Sequence, residues 1–183
     1  MQPFNVMIDW NSGTMSEGDR KTRRVSDMQG MYHNQAAARD ALDNGDPKIY
    51  EYTTIQLPQE SDHVLFGTTT VFPGRIGSEC FMTKGHYHEQ RATGEVYVCF
   101  SGHGRLIMET EDGAGKVLEM LPGSVSYVPP YWAHRVCNVG DEPLIFFAAF
   151  PGHAGHDYGS IEQSGFSVRV ERYGDEVVVV DNL

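Results

Sequence analysis

Gly85-His86-Tyr87-His88-Glu89-Gln90-Arg91-Ala92-Thr93-Gly94-Glu95-Val96-Tyr97 is the stretch whose reading decides the fold. In a strand, alternate residues face the same side, so His86 and His88 point together. A turn at Thr93-Gly94 then brings Glu95 back beside them. A second stretch, Tyr127-Val128-Pro129-Pro130-Tyr131-Trp132-Ala133-His134-Arg135-Val136-Cys137-Asn138, supplies His134 from a different strand. Three imidazoles and one carboxylate make a metal site, with hydrogen-bonding partners expected behind them. The candidate ligands are His86, His88, Glu95 and His134.

Working outward, the chain is sized for one domain: it has 183 residues, of which 40% are hydrophobic, enough for a core. No apolar run approaches the roughly 18 residues of a membrane-spanning helix. The start, Met1-Gln2-Pro3-Phe4-Asn5, lacks the basic-then-apolar order of a secretory signal. Cys80, Cys99 and Cys137 are odd in number and scattered, as expected of reduced, buried thiols in a cytoplasmic protein. A net charge of −11 argues against nucleic acid and anionic membrane surfaces as partners. A small anionic substrate stays open, because a pocket can be locally positive in a negative molecule. The one basic cluster, Lys21-Thr22-Arg23-Arg24, reads as a solvated face.

Ser26-Asp27 before Met28, Met31, Ala36, Ala38 and Leu42, with Asn44-Gly45-Asp46-Pro47 as the stop, predicts one helix from about Asp27 to Leu42. Beyond it the signals are strands: Ile49 to Leu57, Val64 to Phe72, Val96 to Phe100, Val125 to Val128 and the nearly all-apolar Leu144 to Phe150. Leu106 to Glu109 is expected to pair with Val117 to Leu121, and Val168 to Arg172 with Val177 to Val180. Short strands at this spacing predict an all-β sandwich or barrel. Residues 1–48 read as an N-terminal extension with one helix packed on the barrel, and 49–183 as the barrel.

The two quoted segments resemble the paired motifs of the cupin superfamily: His86, His88 and Glu95 in the first, and Pro122-Gly123, His134 and Asn138 in the second. The resemblance implies a double-stranded β-helix, or jelly-roll barrel, with a short N-terminal helix. More narrowly, the chain resembles the cupin-type glucose-6-phosphate isomerases. Thr69-Thr70-Val71-Phe72-Pro73-Gly74, Phe81-Met82-Thr83-Lys84-Gly85-His86-Tyr87-His88, Val128-Pro129-Pro130-Tyr131-Trp132-Ala133-His134-Arg135 and Ala154-Gly155-His156-Asp157-Tyr158-Gly159 carry the likeness. It implies a homodimer, one divalent metal ion per subunit (Fe2+, with Mn2+, Ni2+ or Zn2+ as alternatives) and interconversion of glucose 6-phosphate and fructose 6-phosphate. Carried over motif by motif, Glu95 and Tyr97 are catalytic. Tyr50, Thr69, Thr83, Gly85, Tyr97, Tyr131, His156 and Tyr158 contact the phosphosugar. Where the family often has tyrosine, this chain has Phe150.

The chemistry asks for a carboxylate near the carbon-bound proton and positive charge near the developing enediolate. Glu95 can serve as the base only if it loosens from the metal; a hydride shift between the carbons is the other route. Hydroxyls of Thr69 and Thr83, the Gly85 N–H and a protonated His156 suit a phosphate dianion. Two other functions fit the same motifs: another metal-cupin enzyme, such as a dioxygenase or a mannose-phosphate isomerase, and a sugar-binding cupin without catalysis.

Overall fold

β-Branched and aromatic residues dominate the segments between the Gly and Pro turns, and such segments pair into sheets that must bury a face. The computed structural model describes residues 1–182; Leu183, the last residue of the expected barrel span, lies outside them. In chain order the elements are β1 (Asp19–Arg24), α1 (Gln35–Asp43), β2 (Lys48–Thr54), β3 (Val64–Val71), β4 (Arg75–Ile76), β5 (Glu79–Cys80), β6 (Glu95–Ser101), β7 (Gly104–Thr110), β8 (Gly115–Met120), β9 (Val125–Val128), β10 (Trp132–Asn138), β11 (Leu144–Pro151), α2 (Gly159–Ser164), β12 (Val168–Tyr173) and β13 (Glu176–Asp181).

Antiparallel pairing gives a six-stranded sheet in the order β1-β2-β3-β11-β6-β9, a sheet β10-β7-β8 and a sheet β13-β12-β5-β4. Segment 81–88 joins β10 through the bridges Met82↔Cys137 and His86↔His134. Tyr97, Cys99 and Phe146 from the first sheet and Leu106, Met108 and Val136 from the second belong to one buried cluster. Each such apolar side chain contributes about 1.5–3 kcal/mol when fully buried. This is the all-β, double-stranded β-helix expected. Both hairpins form in the expected places, with Leu106↔Leu118 and Ile107↔Val117 in one and Arg169↔Val180 in the other.

Three elements differ from expectation. The single helix from Asp27 is two elements: a 3-10 turn at Val25–Met28, and α1 starting only at Gln35. Gly30, at φ +82°, breaks the run, and Asn34 caps α1 by accepting from the Ala37 N–H at 3.0 Å. Asp27 caps the short turn instead, accepting from the Arg24 N–H at 2.8 Å. The cluster read as a solvated face is β1, which pairs with β2 and so extends the main sheet. α2, a short helix after Tyr158, had no distinct signal in its Gly-Ser-Ile-Glu-Gln-Ser sequence.

Asn138 ties the barrel end together. Its buried amide donates to the carbonyls of Val71 and Glu142, each at 2.9 Å, and its oxygen accepts from the Gly140 N–H at 2.9 Å. Asn138→Ala strips partners from buried backbone groups, and each such loss costs about 1–3 kcal/mol. Chemical denaturation is expected to show a loss of roughly 2–4 kcal/mol with an unchanged m-value; an unchanged midpoint would refute the clamp.

Candidate metal centre and substrate cavity

β6 begins with Glu95 and carries Tyr97 two residues on, so both face the barrel interior. β10 carries His134, whose N–H and C=O exchange hydrogen bonds with His86 at 3.0 and 3.2 Å. That bridge fixes two of the candidate ligands directly opposite each other. His88, two residues beyond His86, completes the set. One donor atom from each of His86, His88, Glu95 and His134 lies within 4.8 Å of every other.

The contacts orient each donor. His88 Nδ1 lies 2.8 Å from the Thr93 hydroxyl and 3.1 Å from the Thr93 carbonyl, which assigns that nitrogen a proton and leaves Nε2 as a lone pair. Nε2 is 3.2 Å from Glu95 Oε2. His134 Nδ1 sits 3.3 Å from the Trp132 carbonyl, turning its Nε2 toward the same carboxylate oxygen at 3.0 Å. Yet His134 Nε2 lacks hydrogen-bonding alignment at that distance, and it and His86 Nε2 are buried nitrogens with no partner. Separations of 3.0 and 3.2 Å suit neighbouring donors placed about 2.0–2.2 Å from a common ion. The donor set therefore fits a divalent first-row metal.

Electrostatics support the same fit. Burial pushes the Glu95 carboxyl up, but the close His134 and His88 rings overcome it and lower its pKa to about 2. Burial, then the nearby imidazoles of His134, His156 and His88, drives the His86 pKa well below its ordinary value, so its ring is neutral and able to ligate. Burial and the Glu95 charge keep Tyr97 protonated far into the basic range.

Above the cluster opens a cavity of about 310 Å³. Tyr50, Thr69, Thr83, Gly85, Tyr97, His156 and Tyr158 all line it, together with His86, Glu95 and His134. The Thr83 hydroxyl accepts from the Val136 N–H at 3.1 Å and so keeps its own proton to donate. The Thr68 and Thr70 hydroxyls donate to the Gly13 and Ser12 carbonyls at 2.6 and 3.4 Å, whereas Thr69 takes the other strand face. His156 stacks on Tyr158 with ring centres 5.8 Å apart and lies 4.5 Å from His86. The protonated His156 expected from the sequence is disfavoured, since burial lowers its pKa despite the raising effect of Glu95. Phe150 closes the wall edge-on to His156 at 5.4 Å, an apolar surface where the family often offers a hydroxyl.

Tyr131 is not brought to the cavity. It adopts φ +71°, its ring is 60% exposed, and its backbone N–H is bound to the Arg91 carbonyl at 2.6 Å. Lys21, Tyr52, Gln56 and Lys84, polar residues with no role expected from the sequence, are among those that line the cavity. Parity with Tyr50 marks Tyr52, but Lys21 becomes visible only once β1 is recognised as a strand. Arg91 also went unread. It donates to the His88 carbonyl and pairs with Asp157 at 2.6 Å, tying the ligand segment to the loop that carries His156.

A family model described as glucose-6-phosphate isomerase (GPI) matches residues 22–180. Curated relatives bear the same name. Those of Thermococcus litoralis and Pyrococcus furiosus are each 42% identical over 181 residues, spanning 99% of this chain and 95% and 96% of theirs. That of Sinorhizobium medicae is 33% identical over 166 residues, 90% of this chain and 78% of its own. Among solved structures, an oxalate oxidase superposes with a TM-score of 0.51 at 15% identity over 64% of this chain and 58% of that one, a likeness of fold alone. Matched along almost its whole length by proteins of one activity, the chain belongs to the glucose-6-phosphate isomerase family of aldose–ketose isomerases.

Proposed function

We propose that the cavity is the active site and that His86, His88, Glu95 and His134 hold one divalent metal ion per subunit. Iron(II) is the leading candidate and manganese, nickel and zinc the alternatives. The observation that carries this reading is the pair of buried, unpartnered imidazole nitrogens beside the Glu95 carboxylate at the cavity. The bound ion would supply Lewis-acid stabilisation of negative charge on the sugar oxygens.

The remaining work falls to the chain. Thr69, Thr83 and the Gly85 N–H seat the phosphoryl group, and Tyr50, His156 and Tyr158 bound the sugar. Glu95 takes the carbon-bound proton in the enediol route. Tyr97, on the same strand face as Glu95, passes a proton between the two sugar oxygens. In a second route hydrogen moves as hydride between neighbouring carbons and Glu95 stays a ligand. We further assign a cytoplasmic homodimer. Three free, buried cysteines support the compartment. Val125 and Tyr127, 70% and 58% exposed on the edge strand β9, support the association. Light scattering is expected to give twice the chain mass, and a monomer would discard it.

Chelator-stripped protein is expected to lose fructose 6-phosphate turnover and to regain it when iron, manganese, nickel or zinc is restored; full activity without metal would discard the metal assignment. Glu95→Gln is expected to lose at least 100-fold in kcat. Running the wild type in D2O separates the routes: deuterium at the product carbon marks proton transfer, and its absence marks hydride shift. Thr93→Val removes the hydroxyl behind His88 and is expected to weaken metal binding about tenfold by calorimetry. Unchanged affinity would free Thr93 from that role.

A further inference from the structure

β1 holds the densest run of positive charge in an acidic chain, and strand alternation divides it. Arg20 and Thr22 point to one face, where both meet Glu51: Arg20 at 2.9 Å and the Thr22 hydroxyl at 3.1 Å. Lys48 reaches the same carboxylate at 2.7 Å. Lys21 and Arg23 point to the other face, over the cavity. Neither has an ion-pair partner among the described residues.

Register places Lys21 with care. It stands opposite Tyr52, which stands opposite Thr69, which stands opposite Phe146. This single cross-strand row runs inward from the exposed rim, and Lys21, Tyr52, Thr69 and Phe146 all line the cavity. Arg23 lies one row along, opposite Tyr50. Its guanidinium donates to the Tyr52 hydroxyl at 3.4 Å and sits 5.7 Å from the centre of that ring, while its Nε is buried without a partner. Lys84, on the opposite wall, is held by Glu162 at 3.3 Å, so its charge is partly spent.

Among the described residues that line the cavity, Lys21 of β1 is the cation without an ion-pair partner that a phosphate dianion seated on Thr69 and Thr83 could meet. We propose that Lys21 is a further substrate-binding residue, its ammonium group closing on the phosphoryl oxygens. The inference rests on the cavity being the active site. Lys21 sits at the exposed rim, where it retains its hydration until substrate arrives, and a charge-assisted contact with phosphate gains from partial desolvation.

Lys21→Met keeps the apolar stem, and its exposed site tolerates the change. It is expected to raise KM for fructose 6-phosphate about 3- to 10-fold, with the loss expressed in KM rather than kcat. Competitive inhibition by inorganic phosphate should weaken by the same factor, because that probe reports on the phosphoryl end alone. The rise of KM with sodium chloride should flatten, one cation having left the encounter. Lys21→Arg should restore most of the affinity. If Glu95→Gln is inactive while Lys21→Met matches wild type in KM, phosphate inhibition and salt dependence, the assignment of Lys21 is overturned and the cavity stands. If Glu95→Gln turns over like wild type, the cavity reading falls and this one with it.

Discussion

A carboxylate buried to 4% exposure among three imidazoles is the constraint on which the rest of the structure depends. An isolated ionised carboxylate in such a place costs several kcal/mol, and each orphaned imidazole nitrogen adds about 1–3 kcal/mol. The backbone answers by fixing where the donors stand. The His86–His134 bridge sets two of them face to face, β6 starts at the third, and the Thr93 turn holds the fourth donor, the His88 ring, by a hydrogen bond from behind. Pairing of β6 with β9 and β11 keeps Glu95 and Tyr97 on one inner face. A one-residue slip in either register would turn both side chains outward.

The clustering of His86, His88 and Glu95 was legible because period-two alternation and a Gly turn are local rules, and they bring these residues together without knowledge of distant contacts. The hairpins were legible for the same reason. What local rules miss is context supplied from far along the chain. The extended helix failed at Gly30 and Asn34, where a left-handed backbone and a side-chain cap outweigh the apolar spacing of Met28, Met31 and Ala38. Lys21 reads as a solvated charge because nothing near it in sequence shows that β1 pairs with β2. Tyr131 carries the family motif but not the position, since its positive φ and the bond from its N–H to Arg91 turn the ring to solvent. His156 was expected to be charged, and only the packed surroundings of Phe150, Tyr158 and His86 reveal why it is not.

Charge is distributed against the global sign. A molecule with net charge −11 repels anions at long range, yet the mouth of the cavity carries Lys21 and Lys84 with Arg23 behind them. At physiological salt the screening length is about 8 Å, so the nearby cations govern the final approach and the distant acids do not. Glu51 makes this arrangement possible by drawing Arg20 and Lys48 to the opposite face. One acidic residue on the outside of β2 thereby sorts a continuous basic stretch into a neutralised half and a free half.

Gly85 joins the two ends of the site. Its φ of +74° bends segment 81–88 away from regular strand, so that the β10 backbone meets it at Phe81, Met82, Thr83 and His86, while the Arg135 side chain reaches the Lys84 carbonyl. A Cβ there would come within 2.6 Å of the Phe166 ring and 3.1 Å of Arg135 Cβ. Arg135 is itself committed, stacked over Phe166 at 4.7 Å and donating to the Lys84 carbonyl at 2.6 Å, so it cannot yield. The bend is thus held from the outside by a packed guanidinium and from the inside by the bridge at His86. Because this kinked segment carries both Thr83 and His86 to the cavity, the spacing between Thr83 and the His86–His88 pair is set by one backbone kink. A side chain at position 85 would disturb both ends at once, which is why glycine there is a requirement of geometry rather than of sequence habit.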